Sequence, residues 1–493
     1  MIPSVAQSRA ARTLHEIYTS GRPLAYIRSS EELRIGRLLA ALGLPLWTWS
    51  LTAGLQTAGD EPIPGTTDPR AALDFLINHP HPAIFHLKDF HEPLRDSPAV
   101  RRRLRDVESA CFDRQKFTVI TSPVRAIPDE LDRSLVFVEL RPPDEVELAA
   151  FLHDEHPTTP PALLSQFARA LKGLTLDEAR YALRRALALQ PTLSPASLPA
   201  LLEEKRLLVN RSGVIEFLST PTNVNEIGGL DGLKKWLFER QRLFELRDEV
   251  NSEIVPKGVL LMGIPGCGKS LSVKAIASCF GLPLYRMDMN AIFSGRHGKP
   301  EVVFAETCRM MEEMAPAVLW FDEIENAVST QTVGGESGRM FGFFLTWMQE
   351  KTRGLFVAAT ANRIDVLPAE LLRKGRFDEV FFVDLPLDEE RLDIFRIHLE
   401  RRGVPADGLD LPQLTQFTAG WSGAEVEQCV VSAITKAKLA DRPLHLQDLI
   451  TTAVSIVSLS RTMKEQISHI RAWAFERAVR ASPPPSRAAK PMM

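Results

Sequence analysis

The sequence has few cysteines and no long apolar run. Its five cysteines, at positions 111, 267, 279, 308 and 429, are scattered, and none is paired at metal-ligand spacing. An odd, scattered set offers no disulfide framework and fits a reducing compartment, so we expect a cytoplasmic protein. No apolar run reaches the length of a membrane span, and the first residues lack the charged and apolar regions of a secretory signal. We therefore expect no membrane partner.

An excess of charge of one sign is also missing. The chain of 493 residues carries 59 basic and 62 acidic side chains, a net charge of −3. Without a basic field, nucleic acid is not expected as a partner, and the basic run at residues 101–105 is typical of a solvated helix face. No His-Glu-x-x-His motif occurs, which excludes the zinc protease that this motif builds. The length predicts roughly two to four domains.

A glycine-rich loop between an apolar strand and an amphipathic helix is the most informative stretch. The apolar run 259–262 predicts a buried parallel strand, and the run that begins at Leu271 predicts a helix. Between them the loop satisfies the pattern G-x-x-x-x-G-K-[ST], with residues Gly263, Ile264, Pro265, Gly266, Cys267, Gly268, Lys269 and Ser270. Backbone N–H groups in such a loop curl around phosphate, Lys269 reaches the β- and γ-phosphates, and the Ser270 hydroxyl binds Mg²⁺. The sequence therefore predicts a site for ATP and Mg²⁺.

Two acids end the next clear strand, at residues 317–321. Because carboxyl ends of parallel strands meet at one edge of a sheet, Asp322 and Glu323 are expected to face the phosphate loop. We predict that Asp322 holds the Mg²⁺ shell and that Glu323 polarises the attacking water.

Polar and basic residues follow the last two strands of the same region. Asn362 follows the strand at residues 356–361 and is a candidate to orient the water or to contact the γ-phosphate; a plain turn residue is the alternative. Arg373 and Arg376 flank Lys374 and Gly375, and two guanidinium groups beside a glycine suit charge stabilisation on a transferring phosphoryl group. A solvated basic turn is the alternative for them.

The first part of the chain echoes the second. Five short matches occur in the same order, among them Gly43-Leu44-Pro45-Leu46 with Gly281-Leu282-Pro283-Leu284, and Pro82-Ala83-Ile84-Phe85 with Pro316-Ala317-Val318-Leu319. Any two α/β domains can share such echoes, but their common order favours two copies of one architecture. In the first copy Lys88 and Asp89 stand in place of the two acids. Residues 28–31, at the position of the phosphate loop, contain no glycine. We therefore predict that the first copy has lost the chemistry.

Alternating strands and helical segments predict an α/β protein with parallel sheets. We assign residues 1–190 to a first α/β domain without a nucleotide site and residues 191–221 to a connector. Residues 222–389 form the α/β domain with the phosphate loop, and residues 390–480 form a helical part with a C-terminal helix. The proline-rich residues 481–493 are expected to be a disordered tail.

These motifs resemble the AAA family of ATPases. The resemblance rests on the phosphate loop, on Phe-Asp-Glu-Ile at 321–324, on Ala-Thr-Ala-Asn-Arg at 359–363, on Arg-Lys-Gly-Arg-Phe-Asp at 373–378 and on Asn-Glu-Ile-Gly-Gly-Leu at 225–230. Within the family the chain resembles the poorly characterised type of algal plastids and cyanobacteria, which has bacterial relatives. The implied fold is a P-loop NTPase AAA module with a helical lid, preceded by a degenerate AAA-like α/β domain.

The resemblance also implies roles for single residues. Asn362 would be the γ-phosphate sensor, and Arg373 and Arg376 would act on ATP held by a neighbouring subunit, which implies a homo-oligomeric ring, usually a hexamer. Ile227 and Gly228 would lie under the adenine, His398 near the nucleotide, and Gly423 and Ala424 at the adenine-side turn. Leu271 would complete the nucleotide contacts after the loop.

One departure from the family bears on function. Many members carry an aromatic residue that grips a threaded polypeptide two positions before a glycine, and Arg296 stands there in this chain. We therefore expect an ATP-hydrolysing ring motor or remodeller of a protein client, with threading in doubt. The alternative is a nucleotide-gated scaffold or regulator that hydrolyses slowly and recruits a partner through the inert first copy.

Overall fold

The computed structural model describes residues 5–483, apart from residues 58, 60, 113–114, 191, 212, 219–221, 248, 252, 297, 329–335 and 374. Lys374 and residues 484–493 of the predicted tail therefore lie outside the described residues. The chain divides into two compact units, residues 1–205 and residues 206–493.

The first unit is built on a six-stranded sheet. The spatial order of its strands is β3-β2-β4-β5-β1-β6, with β3 antiparallel to β2 and the other pairs parallel. The strands are β1 (Leu24–Arg28), β2 (Leu46–Ser50), β3 (Gly54–Thr57), β4 (Ala83–Lys88), β5 (Lys116–Ser122) and β6 (Val136–Glu139). The five parallel strands confirm the apolar runs of the sequence. The sequence analysis did not predict β3, because its four residues form no apolar run.

Helices cover both faces of this sheet. Leu24 and Tyr26 of β1 enter one apolar core, and Ala25 and Ile27 enter the other, as the period of two along a strand requires. The helices are α1 (Arg9–Thr19), α2 (Glu32–Ala40), α3 (Pro69–Asn78), α4 (His91–Asp96), α5 (Pro98–Cys111), α6 (Glu145–Glu155), α7 (Pro161–Leu171) and α8 (Leu176–Leu189). α9 (Leu198–Asn210) runs across the boundary between the units.

The second unit is built on a seven-stranded sheet. The spatial order of its strands is β13-β12-β8-β11-β10-β9-β7, and all pairs are parallel except β7 with β9. The strands are β7 (Ile215–Leu218), β8 (Gly258–Gly263), β9 (Leu284–Met287), β10 (Ala317–Phe321), β11 (Leu355–Ala361), β12 (Glu379–Val383) and β13 (Val479–Arg480). β8, β10 and β11 are buried along their whole length, which explains their continuous apolar sequence.

The helices of this unit form two groups, one that packs on the sheet and one that follows it in the chain as a helical part. The first group is α10 (Asp231–Glu245), α11 (Lys269–Phe280), α12 (Met289–Phe293), α13 (Pro300–Glu313), α14 (Glu325–Val328) and α15 (Glu336–Glu350). The helical part is α16 (Asp388–Glu400), α17 (Gly423–Leu439), α18 (Leu446–Ser455), α19 (Leu459–Thr462) and α20 (Lys464–Phe475). α16, α17 and α18 share one core around Phe395, Trp421 and Leu449.

The ends of the second unit differ from the sequence analysis at two places. β7, which lies in the predicted connector, forms an edge strand of the second sheet. Ala481 and Ser482, assigned to the tail, are held by hydrogen bonds: the Ala481 N–H donates to the carbonyl of Phe382 at 3.0 Å, and the Ser482 hydroxyl donates to Glu390 at 2.6 Å. Both features depend on pairing with strands far away in the chain, which no local pattern records.

The two sheets confirm the repeated architecture. The first copy has the parallel order β2-β4-β5-β1-β6, and the second has β9-β10-β11-β8-β12, so equivalent strands occupy equivalent positions. The register agrees too, because Ile84 lies opposite Leu46 and its match Val318 lies opposite Leu284. Two copies of one chain path therefore follow each other in this protein.

Candidate nucleotide site

The phosphate loop joins β8 to α11, as the sequence predicts, and needs glycine at its start. A Cβ on Gly263 would lie 2.1 Å from the carbonyl oxygen of Val383, so no side chain fits there. Gly266 and Gly268 have φ angles of 75° and 93°, a backbone region that glycine adopts without strain. After Gly268 the chain enters α11. The N-terminus of this helix presents free N–H groups and positive potential to an anion.

Lys269 opens α11 and is buried beside the loop. Its ammonium group donates to the carbonyl oxygens of Gly263 and Ile264 at 2.9 and 2.8 Å. Burial lowers the pKa of Lys269 to about 8, although carboxylates that include Glu325 and Asp322 oppose the shift. The neighbouring Ser270 is exposed, and Leu271 is half-buried. The helix start therefore carries a cation inside the loop and a hydroxyl that solvent reaches.

Cys267 lies inside the loop and is a structural residue. Its thiol is buried, and burial raises the pKa of Cys267 to about 12, so the thiol stays protonated at neutral pH. Ile264 is also buried, and its N–H donates to the carbonyl of Val383 at 3.1 Å. The backbone of Ile264 thus ties the loop to β12, and Pro265 lies between Ile264 and Cys267.

Thr360, near the end of β11, joins the two acids that follow β10. Its hydroxyl donates to Asp322 Oδ1 at 2.8 Å and accepts the backbone N–H of Glu323 at 3.2 Å. Glu323 itself has a φ angle of 50°, uncommon for a residue with a side chain. The structure thus places both acids at the carboxyl edge of the sheet. It also identifies Thr360, a polar residue in an apolar strand, as a functional residue that the sequence analysis missed.

Asn362 contacts Glu323 directly. Its side-chain amide donates to Glu323 Oε1 at 3.1 Å. The backbone N–H groups of Asn362 and Arg363 donate to the buried carboxylate of Glu325 at 2.8 and 3.2 Å. Burial raises the pKa of Glu325, although these N–H donors oppose the shift. The sequence analysis missed Glu325, although its position two residues after Glu323 could have indicated a role in the site.

Arg286 of β9 brings a cation near Asp322. Its guanidinium group lies 3.9 Å from Asp322 Oδ2 and 2.6 Å from Glu216 of β7, and it stacks on the ring of Trp320. Asp322 thus presents one oxygen to a hydroxyl donor and the other to positive charge. A carboxylate offers about four lone-pair positions, so these two contacts leave positions on Asp322 for a further partner.

The predicted adenine-side residues come together around the helical part. The Ala424 N–H donates to the carbonyl oxygen of Gly266 at 2.9 Å, so the start of α17 contacts the phosphate loop. A Cβ on Gly228 would lie 2.5 Å from Ile394 of α16, and one on Gly423 would lie 3.7 Å from the same side chain. Ile227 is buried beside them. The entry segment, the loop and the helical part therefore meet at one place.

His398 lies on α16 and directly follows Ile397, which lines a cavity of about 480 Å³. The other residues that line this cavity are polar or charged, namely Asn223, Asn225, Glu226, Glu400 and Arg401. His398 Nδ1 lies 3.1 Å from Arg402 and 3.7 Å from Glu427. Burial and the nearby arginines lower the pKa of His398, so the ring is neutral at pH 7.

Arg373 and Arg376 stand apart from this set. Arg373 is exposed, and Arg376 donates to the carbonyl oxygen of Glu370. Among the hydrogen bonds and ion pairs of the described residues, neither guanidinium group contacts Asp322, Glu323 or Asn362. Arg296 is exposed in the segment between α12 and α13.

The donor set suits a magnesium-bound triphosphate. A glycine cradle, a buried ammonium group and the N-terminus of a twelve-residue helix favour phosphate, and the hydroxyl of Ser270 and the carboxylate of Asp322 are ligands that Mg²⁺ accepts.

None of the helices that the structure describes combines the length and the apolar character needed to cross a bilayer.

Comparison with known protein families gives matches to three stretches of the chain. Residues 259–385 match the model described as ATPase family associated with various cellular activities (AAA). Residues 10–140 and 146–212 match the N-terminal and second domains of the SpoVK-like AAA ATPase.

Relatives of similar length support the same assignment. The uncharacterized AAA domain-containing protein ycf46 of Pyropia yezoensis is 34% identical over 94% of this chain and 96% of its own length. The protein of the same name from Trieres chinensis is 32% identical over 93% of this chain and 95% of its own length. The proteasome-activating nucleotidase of Thermococcus onnurineus is 32% identical over 51% of this chain and 66% of its own length. The chain therefore belongs to the AAA family of ATPases and hydrolyses ATP.

Proposed function

We propose that this protein is a ring-forming ATPase that uses hydrolysis to remodel a protein partner. The observation that carries the proposal is the cluster around Thr360. In it two acids and an asparagine, which follow neighbouring strands, meet at the carboxyl edge of the second sheet, where the phosphate loop also begins. The name of the proteasome-activating nucleotidase relative, which spans about half of this chain, supports a protein as the partner.

In this proposal Lys269 and the loop N–H groups bind the β- and γ-phosphates. Ser270 and Asp322 hold Mg²⁺, which neutralises charge on the phosphates when it is bound. Glu323 accepts a proton from the water as that water attacks the terminal phosphorus and the bond to the ADP oxygen breaks. Asn362 contacts the γ-phosphate, and its link to Glu325 keeps its backbone fixed while the side chain turns. The entry segment and His398 border the adenine.

The exposed guanidinium group of Arg373, together with Arg376, serves ATP held by a neighbouring subunit. Neither residue joins the cluster of its own chain within the described contacts, and a donor supplied from outside a closed site is an established way to stabilise a transferring phosphoryl group. We therefore propose a homo-oligomeric ring, most simply a hexamer. None of the five cysteines forms a disulfide in the described structure, which agrees with a cytoplasmic compartment.

ATP turnover in the presence of Mg²⁺ tests the proposal. Glu323→Gln removes the proton acceptor at almost constant shape, so turnover should fall at least about 100-fold while nucleotide still binds. Asp89→Asn is the matched control, because Asp89 has the same φ angle of 50° at the equivalent point of the first sheet. Absence of turnover in the wild type, or turnover that Glu323→Gln leaves unchanged, would contradict the proposal.

A second candidate is a nucleotide-gated scaffold with slow hydrolysis. The exposed Arg296, in place of an aromatic residue at the position that grips a threaded chain, favours it. Turnover measured without any partner separates the two candidates, since a fast basal rate excludes the scaffold. A pull-down with the Glu323→Gln variant and ATP should retain a client of the remodeller.

A further inference from the structure

Both oxygens of the Glu323 carboxylate are held by amide groups. Asn362 donates to Oε1 at 3.1 Å, and Asn326 donates to Oε2 at the same distance. Asn362 comes from β11, whereas Asn326 lies three residues after Glu323 on the short helix α14. The two amides therefore reach the carboxylate from different elements.

Asn326 is tied to the backbone of Glu323 as well as to its side chain. The Asn326 N–H donates to the carbonyl oxygen of Glu323 at 2.9 Å, and the N–H of Ile324 donates to the carbonyl of Thr360 at the same distance. These bonds close the turn that the positive φ of Glu323 opens. Asn326 and Glu323 therefore belong to one hydrogen-bonded turn, whereas Asn362 reaches Glu323 from the end of another strand.

We propose that Asn326 is a positioning residue for Glu323. This inference rests on the proposed function, in which the amide of Asn362 turns to the γ-phosphate. Oε1 then accepts the proton of the attacking water, while Asn326 keeps Oε2 in place and fixes the rotation of the carboxylate. A carboxylate offers about four lone-pair positions, so one amide on Oε2 leaves Oε1 free for the water.

Orientation is worth a measurable part of the rate, because a displaced base loses its alignment with the reacting atoms. Asn326→Ala removes the donor, and single-turnover hydrolysis of ATP should fall about tenfold, the effect of one hydrogen bond to a charged group. Asn326→Asp has the same shape but places a negative charge beside Glu323, and we expect a larger fall of about 100-fold. Asn326→Ser restores a donor and should recover part of the rate.

The affinity for nucleotide distinguishes positioning from general damage. Asn326 makes no contact with the phosphate loop in the described structure, so the dissociation constant of a fluorescent ATP analogue with Mg²⁺ should change less than about twofold. The thermal midpoint of each variant, measured without nucleotide, shows whether it folds. If Asn326→Ala does not fold, Asn326→Ser provides the same comparison.

A double-mutant cycle with Glu323→Gln completes the test. If Asn326 acts through Glu323, Asn326→Ala should cause no further fall in the rate of Glu323→Gln. Equal tenfold falls in both backgrounds would overturn the inference, and so would a wild-type rate for Asn326→Ala beside a slow Glu323→Gln. A wild-type rate for Glu323→Gln itself would overturn the proposed function together with this inference.

Discussion

The two sheets of this protein follow one chain path with opposite charges at the equivalent edge. Lys269 lies as many residues before Gly281 as Glu31 lies before its match Gly43, so an acid stands in the first unit where the second has its ammonium group. Likewise Lys88 is the last residue of β4, whereas Asp322, at the equivalent position, directly follows β10. We therefore propose that side-chain charge, rather than fold, separates a unit that hydrolyses ATP from a unit without a nucleotide site.

The first unit satisfies these charges internally. Arg34 is buried and pairs with Glu31 at 2.8 Å and with Glu147 at 2.7 Å, and the N–H of Leu176 donates to Glu31 at 2.7 Å. Lys88 pairs with Glu32 at 3.3 Å. These contacts join α2 to β4, α6 and α8, which are the elements equivalent to those around the phosphate loop.

The second unit differs at the first turn of the helix after the loop. Ser270 is exposed, whereas its match Glu32 is half-buried and pairs with Lys88. The loop of the second unit meets the helical part at Gly266, whose carbonyl oxygen accepts the N–H of Ala424 at 2.9 Å. We infer that the first unit is a scaffold fixed by its own side chains, and that the second unit needs nucleotide to complete the equivalent contacts.

Breaking the buried cluster of the first unit should produce the largest effect. Glu147→Ala leaves the Arg34 guanidinium group buried with one partner fewer, and the free energy of unfolding should fall by about 3–5 kcal/mol. Urea denaturation measures the loss, and hydrogen exchange should localise it to α2 and β1.

Arg34→Met combined with Glu31→Gln and Glu147→Leu is the control, because removal of all three charges of the cluster should restore most of that stability. A loss below about 1 kcal/mol in Glu147→Ala would show that the cluster does not hold the first unit together.

A matched pair of threonines should sharpen the comparison. Thr360→Val leaves Asp322 Oδ1 without its hydroxyl donor, so ATP hydrolysis should fall about 10- to 100-fold. Thr121, its equivalent on β5, bonds His86 Nε2 at 2.8 Å, just as Thr360 accepts from Trp320 at 3.4 Å. Thr121→Val should cost about 1–3 kcal/mol of stability and leave hydrolysis unchanged, as steady-state turnover can show. Equal losses of turnover in both variants would argue against separate roles.

The equivalent rings His86 and Trp320 should give the two units different responses to acid. Burial, with a smaller contribution from the charge of Lys88, lowers the pKa of His86 to about 3. The unfolded chain therefore binds a proton below about pH 6.5 that the folded first unit does not, and stability falls as the pH drops from there toward 3. Urea unfolding should show a loss of about 2 kcal/mol between pH 7 and pH 5.

His86→Phe should abolish that part of the pH dependence, whereas Trp320 has no group that titrates in this range. If the wild type and His86→Phe lose the same stability between pH 7 and pH 5, His86 is not the cause.

The sequence predicts the features that depend on local patterns. Buried parallel strands such as β8 and β10 are continuous apolar runs, and the phosphate loop carries its glycines at fixed spacing. The acids at the end of β10 could be placed because parallel strands end at one edge. The echo between the two halves predicts that they share one architecture, but it does not give the spatial order of the strands.

Features that depend on distant partners could not be predicted. β7 has only four residues, and its place is set by antiparallel pairing with β9. The bonds of Thr360 to Asp322 and Glu323, and those of Glu325 to the backbone of Asn362 and Arg363, arise only when β10 lies beside β11. The buried cluster around Arg34 requires α2 and α6 to meet, although these helices lie far apart in the chain.

The number of nucleotides bound per chain tests the central claim most directly. Full-length protein titrated with a fluorescent ATP analogue and Mg²⁺ should bind one nucleotide per chain, and Lys269→Ala should abolish binding. Glu31→Gln, at the equivalent position, should leave the number at one. Two nucleotides per chain, or binding that persists in Lys269→Ala, would contradict the account.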